Sequence, residues 1–475
     1  MTDIRTRFAP SPTGYMHVGS VRTALFAWLL ARQNKGEFIL RIEDTDKVRE
    51  VEGSEKHIME SLKYLGIKWD EGPDIGGPCM RYRQSERLKE YKEWAQKLVD
   101  AGRAYPDPYK KEELEELREI AKQSKKPFLF REHRPEIMPM WNGTQTLRFK
   151  SDPKSYTWKD EVMGKLSTGP EVIDDFIIMK SDGYPTYNFA HIVDDYLMKI
   201  THIVRSQEFI SSTPKFLNLY EALDIEHPLF VTLPPVMGSD GKKKLSKRDG
   251  AKDILDYGRE GYLPEALTNF LATLGWNDGT TKEIFNIDEL ITSFDIKRIN
   301  RAGAKFDEQR LMWLNGHYIR EMSLDDLFEK VKAYWPQSAT SFDDEYKKKV
   351  LSLVQERLKY FAELPQLTNF FFEELPINKS LIDNNKFLKD YQKEEIINLL
   401  EQVKTSLELS DFSVEDLTNK LNQLLETTNK KPGELFSLIR IVTTWAPASP
   451  ALADSLAVFG KDKTIHKISQ AITDL

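Results

Sequence analysis

Residues Ile4 to Ala9 predict a short strand, which Pro10-Ser11-Pro12-Thr13-Gly14 ends with two prolines and a glycine. From Val21 the apolar residues Val21, Ala24, Leu25, Trp28 and Leu29 recur at helical spacing, with Arg22, Arg32 and Gln33 elsewhere and Gly36 as a stop. That predicts one amphipathic helix. Phe38-Ile39-Leu40-Arg41-Ile42 follows as a second, largely apolar strand, and strand, helix, strand in this order implies a right-handed crossover between parallel strands. A doubly wound sheet opens this way, and Ile200 to Val204 predicts a later strand of the same sheet. Between them, Leu114, Leu117, Ile120 and Ala121 place a single apolar stripe on a charged surface helix. From about residue 326 strand signals fade and helical patterns take over, with Val350, Leu351, Val354, Leu358 and Phe361 on one face.

Composition sets bounds on this picture. A chain of 475 residues with 40% hydrophobic content suggests about three domains. The net charge of -7 argues against wholesale coating of nucleic acid but allows a basic track on one face. Cys79 is the single cysteine, which excludes an intrachain disulfide and a thiolate metal cluster and suits a reducing compartment. The longest apolar runs, such as Ala24 to Ala31, are far shorter than the ~20 residues that span a bilayer, so no membrane partner is expected. The polar segment Met1 to Arg5 leads almost at once into a candidate site, so no cleavable signal is expected and the reading is cytoplasmic. The sequence shows neither an internal repeat nor a low-complexity segment.

In a doubly wound sheet, ligands sit beyond the carboxyl ends of the strands, and two segments meet there. His17-Val18-Gly19-Ser20 lies where the first helix begins, so backbone N–H groups can receive a phosphate, Gly19 allows close approach and His17 can donate to an oxyanion. Glu43-Asp44-Thr45-Asp46 is a carboxylate cluster after the second strand. Taken alone, the first reads equally as a helix cap and the second as a solvated loop. Far downstream, residues 238–250 combine three glycines with five basic residues and predict a mobile cationic loop able to close over a triphosphate. In isolation that segment reads more simply as a solvated charge run.

The combination carries more weight than its parts. RFAPSPTGYMHVGSVRTALF, RIEDTD, YRQSERL, SDGYPTYNFAHIVDD and KLSKRDG, in that order, resemble the motif series of bacterial-type glutamyl-tRNA synthetases, members of the class I synthetases. The resemblance covers almost the whole chain and weakens after about residue 325. It implies an α/β fold: a Rossmann-type parallel-sheet catalytic domain (1–80 and 186–240), an α+β acceptor-end binding insertion (81–185), a stem-contact domain that includes the KLSKR loop (241–325), and an all-α anticodon-binding domain (326–475). The implied reaction is attachment of L-glutamate to tRNA(Glu) through a glutamyl-adenylate, with ATP and Mg²⁺, by a monomer. A non-discriminating enzyme that also charges tRNA(Gln) would share every active-site residue and differ in anticodon reading.

The resemblance also implies roles. His17, Lys244 and Lys247 are the expected catalytic residues, and Gly19, Ser20 and Ser246 join them in binding ATP. Arg7, Ala9, Ser11, Glu43, Tyr187, His191 and Arg205 are the expected glutamate pocket, with Arg7 and Arg205 on the side-chain carboxylate and Glu43 on the ammonium. His191 ranks lowest, because its position varies in the family. Glutamine would leave a desolvated arginine without its counter-charge, a mismatch that can support rejection by ~10⁴ or more, so no editing domain is expected. Many bacterial relatives carry a cysteine-rich zinc site flanking the insertion helix, but here the flanks offer Tyr105, Asp107, Tyr109 and His133, so no zinc is expected. In the tail Phe436, Arg440 and Trp445 are candidates for anticodon contact, equally explained as buried aromatics and a surface arginine. About 150 residues of helical tail disfavour a short tRNA-modifying relative, and RIEDTD with a helical tail disfavours a glutaminyl enzyme. An inactive RNA-binding scaffold would have little need of both His17 and Lys247.

Overall fold

The computed structural model describes residues 3–245 and 252–475 and divides into two compact units, one of residues 1–259 and 264–308, the other of 260–263 and 309–475. In the first unit β1 (Arg5–Phe8) leads through α1 (Val18–Gln33) to β2 (Glu37–Leu40), and the two strands pair in parallel. The expected strand–helix–strand opening is present, with the helix starting three residues earlier than the apolar spacing alone predicts. Then follow α2 (Ser54–Tyr64), α3 (Leu88–Asp100), β3 (Ala104–Pro106), α4 (Lys111–Gln123), β4 (Leu147–Phe149), β5 (Tyr156–Asp160), β6 (Gly164–Thr168) and β7 (Phe176–Met179). The sheet resumes after α5 (Tyr187–Leu197) with β8 (His202–Ser206), α6 (Thr213–Ala222) and β9 (Leu229–Leu233). The unit closes with β10 (Val236–Met237), α7 (Ile254–Arg259), α8 (Pro264–Thr273), α9 (Ile287–Ser293) and β11 (Ala304–Lys305).

The main sheet runs β2-β1-β8-β9-β5-β6, parallel except for the β5–β6 hairpin at its edge. Because β1 lies between β2 and β8, the connections leave it in opposite directions, and a crevice opens beyond its carboxyl end. The β5–β6 hairpin falls inside the interval expected as an insertion, yet it is bonded to the main sheet. Asp160, almost wholly buried, accepts from the backbone N–H groups of Val162, Met163 and Thr232 and from the Thr232 hydroxyl. A separate antiparallel sheet, β3-β4-β7, lies within the same expected interval.

The first helix departs from its amphipathic expectation. Val21, Arg22 and every residue from Ala24 to Ala31 are buried, because α8 and α9 cover the face that the sheet does not. Arg22 reaches the carbonyls of Leu274 and Pro234, and burial lowers its guanidinium to about 10. By contrast α4 has no fully buried residue among those described, and Ile120 on its stripe is largely exposed. On its flanks the Tyr105 hydroxyl donates to Asp175, Asp107 pairs with Arg148, the Tyr109 hydroxyl donates to the His133 carbonyl, and the His133 ring stacks on Phe128.

The second unit is helical, and among the described residues 309–475 there is no strand. Its core gathers Phe370, Phe371, Leu400, Val403, Leu438, Val442 and Leu456. The expected face of Val350, Leu351, Val354, Leu358 and Phe361 is buried, but the α-helix that begins it ends at Val354; Leu358 closes a 3-10 turn over Gln355–Arg357 and Phe361 opens another over Phe361–Glu363. Trp445 is buried at the left-handed end of helix Pro432–Thr444, Phe436 packs on the core, and Arg440 donates to Ser449 and Pro450. No described helix is long and apolar enough to cross a membrane.

Candidate active site

A cleft of about 860 Å³ opens at the crevice beside β1. Its wall is made by the carboxyl ends of β1, β2, β8 and β9 and the start of α1: Arg7 to Ser11, Glu43, Val204 to Phe209, Pro234 to Met237, and His17, Gly19 and Ser20. Tyr187, Lys244, the turn from Thr13 to Met16, Arg22, Thr23 and Ile58 complete it. Of the residues expected to act, Arg7, Ala9, Ser11, His17, Gly19, Ser20, Glu43, Tyr187, Arg205 and Lys244 are therefore together. Ser246 and Lys247 lie outside the described residues. His191 is not on the wall: wholly buried, it stacks on Tyr187 at 4.6 Å and contacts that residue's carbonyl through Nδ1 at 2.6 Å. Burial, partly offset by Asp195, lowers its imidazole to about 3, so it supports Tyr187 from behind as a neutral ring.

At one end buried arginines and carboxylates gather. Arg7 and Arg41 share Asp195, with Arg7 Nε at 3.1 Å and Arg41 Nη1 at 2.7 Å from Oδ1. Arg41 also pairs with Glu43 at 3.0 Å, while Asp194 takes Gln84, Arg87 and the Tyr91 hydroxyl. Three buried arginines (7, 41, 87) thus face three buried carboxylates (43, 194, 195), and this network is balanced. Burial opposes the charge on Asp195, but Arg7 and Arg41 more than compensate and hold it down to about 2. At Glu43 burial prevails over the same two arginines and raises the carboxyl to about 7.

Arg205 stands outside that balance. Its Nη2 donates to the Thr213 hydroxyl at 2.7 Å, but its Nε is buried with no hydrogen-bond partner, and no described carboxylate pairs with it. The rings of Phe230, Phe216 and Phe209 surround it at 4.7, 5.5 and 5.9 Å. Burial lowers its guanidinium pKa, and Arg7 adds to that. A desolvated cation with an orphan donor, next to a balanced network, is arranged to receive an anion.

The other end suits phosphate. His17 is the N-cap of α1, and its Nδ1 accepts from Gly19 N–H at 3.2 Å, which leaves the neutral ring's proton on Nε2, 3.3 Å from the Ser20 hydroxyl. A Cβ at position 19 would meet His17 Cε1 at 3.2 Å, so any larger residue there would push the ring aside by a few tenths of an ångström. Gly19 and Ser20 of the first turn line the cleft at the positive end of the helix dipole. Lys244 projects from a hairpin of residues 236–245, since residues 238–245, expected as the start of a mobile loop, are tied by Gly238 N–H to Lys243 O and Leu245 N–H to Val236 O, both 2.8 Å. Its ammonium pairs with Glu208 at 2.8 Å and lowers that carboxyl's pKa.

Asp195, Arg41 and Glu208 escaped the sequence reading. Two adjacent aspartates in the otherwise apolar His191-Ile192-Val193-Asp194-Asp195 stretch were the available signal, since carboxylates in such a run are buried only against counter-charges. Of the acidic cluster, only Glu43 reaches the cleft. Asp44 turns away to cap Ser85 N–H and pair with Lys47, and Asp46 pairs with Arg49 on the surface.

Comparison with known proteins gives this arrangement a lineage. The description "tRNA synthetases class I (E and Q), catalytic domain" matches residues 3–313, and "Anticodon binding domain" matches 326–472. The chain is 41% identical to a glutamate–tRNA ligase of Clostridium botulinum, over 99% of this chain and 98% of that one. It is 38% identical to glutamate–tRNA ligase 2 of Caldicellulosiruptor saccharolyticus, over 98% of each. A crystal structure of a glutamate tRNA ligase from Elizabethkingia meningosepticum in complex with its amino acid superposes with a TM-score of 0.88 at 33% identity, covering 100% of both chains. With both descriptions matched in order and such relatives along nearly its whole length, the chain belongs to the class I tRNA synthetases of the E and Q group.

Proposed function

We propose that the chain attaches L-glutamate to tRNA(Glu) at the expense of ATP. The observation that carries this reading is Arg205: a buried guanidinium without a carboxylate partner, beside Arg7 and in the same cleft as Glu43. Glutamate brings two carboxylates and one ammonium, a net charge of one negative, and Arg205 is a buried cation that the network of Arg7, Arg41 and Arg87 with Glu43, Asp194 and Asp195 leaves unmatched. Its side-chain carboxylate is received by Arg205 and Arg7, its ammonium by Glu43, and Tyr187, Ala9 and Ser11 close around it. Its α-carboxylate then points toward the start of α1.

There a carboxylate oxygen attacks the α-phosphorus of ATP, and the bond to the bridging oxygen breaks with its electron pair leaving on pyrophosphate. The terminal ribose hydroxyl of the tRNA next attacks the acyl carbon of the adenylate, and AMP leaves. His17 through Nε2–H, the first-turn N–H groups with Gly19 and Ser20, and Lys244 stabilise the charge on the phosphate oxygens. Lys247 and Ser246 are assigned the same duty from sequence alone. Mg²⁺ would enter with ATP, held by phosphate oxygens and water with one or two carboxylates at most. The domain reading assigns the insertion to the acceptor end, the segment around 241–325 to the stem and the helical tail to the anticodon, in a cytoplasmic monomer.

The test is charging of purified tRNA(Glu) and tRNA(Gln), separately, with labelled glutamate, ATP and Mg²⁺. Charging of tRNA(Glu) that collapses in Lys247→Ala is the expected result. Failure of the unsubstituted chain to charge either tRNA refutes the reading, and charging of both identifies the non-discriminating form.

A further inference from the structure

The basic segment that begins at Gly238 is held at its first end by the hairpin of residues 236–245. Its return is held differently. Asp253 lies antiparallel to His17 in an isolated bridge, and Ile254 N–H donates to the Met16 carbonyl at 3.1 Å. The Asp253 carboxylate accepts Leu255 N–H at 2.9 Å, capping α7, and also meets His57 Nε2 at 2.7 Å. His57, on α2, accepts Met16 N–H through Nδ1 at 3.4 Å. With Nδ1 accepting, the neutral imidazole carries its proton on Nε2 and donates it to Asp253. One ring thus joins the residue before His17 to the residue where the basic segment comes back. Tyr15 lies across that ring at 4.6 Å, and the two side chains are only 10% and 16% exposed.

Capping does not explain this pair. A serine would cap α7 as well as an aspartate does. Removing a carboxylate and an imidazole from water adds little net stability, so the pair is better suited to fixing geometry. Neither side chain lines the cleft, whereas Ile58, next to His57 in the chain, and Tyr15, Met16 and His17, which the pair contacts, all do.

We propose that His57 and Asp253 form a clasp that fixes where the basic segment returns beside His17, which makes both of them positioning residues for the phosphate end of the cleft. The proposal rests on the ATP-dependent reading above. A misplacement of about 1 Å outside the reacting centre can cost ~100-fold in rate, so loss of the clasp should be visible.

Glutamate-dependent pyrophosphate exchange, with tRNA present, is measured on the full chain carrying His57→Leu, Asp253→Ser, both together, and His57→Gln. Serine keeps a hydroxyl for Leu255 N–H but cannot reach His57, so it separates clasp from cap. In either single variant kcat falls about 10- to 100-fold and the KM for ATP rises while the KM for glutamate stays. The double variant is no worse than either single, and His57→Gln, whose amide N–H replaces Nε2–H, recovers most of the rate. Amide hydrogen exchange over residues 252–259 quickens in both single variants. Losses below about twofold, losses that multiply in the double variant, or a glutamate KM that rises in step overturn the clasp. An unsubstituted chain that exchanges no pyrophosphate with glutamate refutes the functional reading instead, and the hydrogen exchange alone then decides the clasp.

Discussion

Replacing Arg205 with methionine separates function from stability more sharply than any other substitution in this cleft. Methionine keeps length and apolar contact with Phe209, Phe216 and Phe230 while removing the charge. Truncating one partner of a buried charge pair costs about 2–5 kcal/mol, so glutamate use, read as kcat/KM, should fall about 30- to 5,000-fold. The free protein should not suffer. The orphan Nε carries a desolvation cost of about 1–3 kcal/mol, which the aromatic contacts, about 0.5–2 kcal/mol, offset only in part. The melting temperature of the free variant is therefore expected to match or exceed that of the native chain. Glutamate at ~100 times its Kd should stabilise the native chain by about 2.7 kcal/mol, a rise of several degrees, and leave the variant unmoved. Scanning fluorimetry with and without glutamate, alongside pyrophosphate exchange with tRNA present, measures both. A variant with native glutamate kinetics, or one that melts many degrees lower without ligand, would show that Arg205 is there for the fold and refute the argument.

Other outcomes follow from the neighbouring groups. With Glu43 raised to about 7, the free cleft gains its ammonium-binding charge only as pH rises, so the KM for glutamate should fall between about pH 6 and pH 8, and Glu43→Gln should flatten the profile. A carboxyl raised in the folded state contributes stability that is present below its unfolded value, near ~4.3, and lost as pH rises through about 7, so Glu43→Gln should be the more stable protein at alkaline pH in urea unfolding. Asp195→Ala strands Arg7 and Arg41 without their shared carboxylate and should cost about 3–5 kcal/mol in the same unfolding measurement. Binding of tRNA, if dominated by phosphate contacts, should weaken steeply between about 50 and 200 mM salt, and a flat response would count against the RNA surface.

Local order was legible in the chain itself. Apolar spacing located β1, α1 and β2, and the proline-rich turn before His17 set a cleft-lining segment at a helix start, because periodicity and caps depend on residues only a few positions apart. The order of the motifs assembled most of the cleft's wall without coordinates. What the tertiary structure alone decided is which charges are paired and which are not. Arg7 finds its carboxylate 188 residues away on α5, and Arg22 is buried because α8 and α9, far downstream, cover what would otherwise be a solvent face. Asp44 and Glu43 are adjacent in sequence but turn to opposite duties, one to Ser85 and one to the cleft. His191 falls one helical turn behind Tyr187, and His57 meets Asp253 across 196 residues. Secondary structure answers to local propensity, whereas the ionisation and reach of a side chain answer to burial and counter-charge, which long-range packing alone supplies.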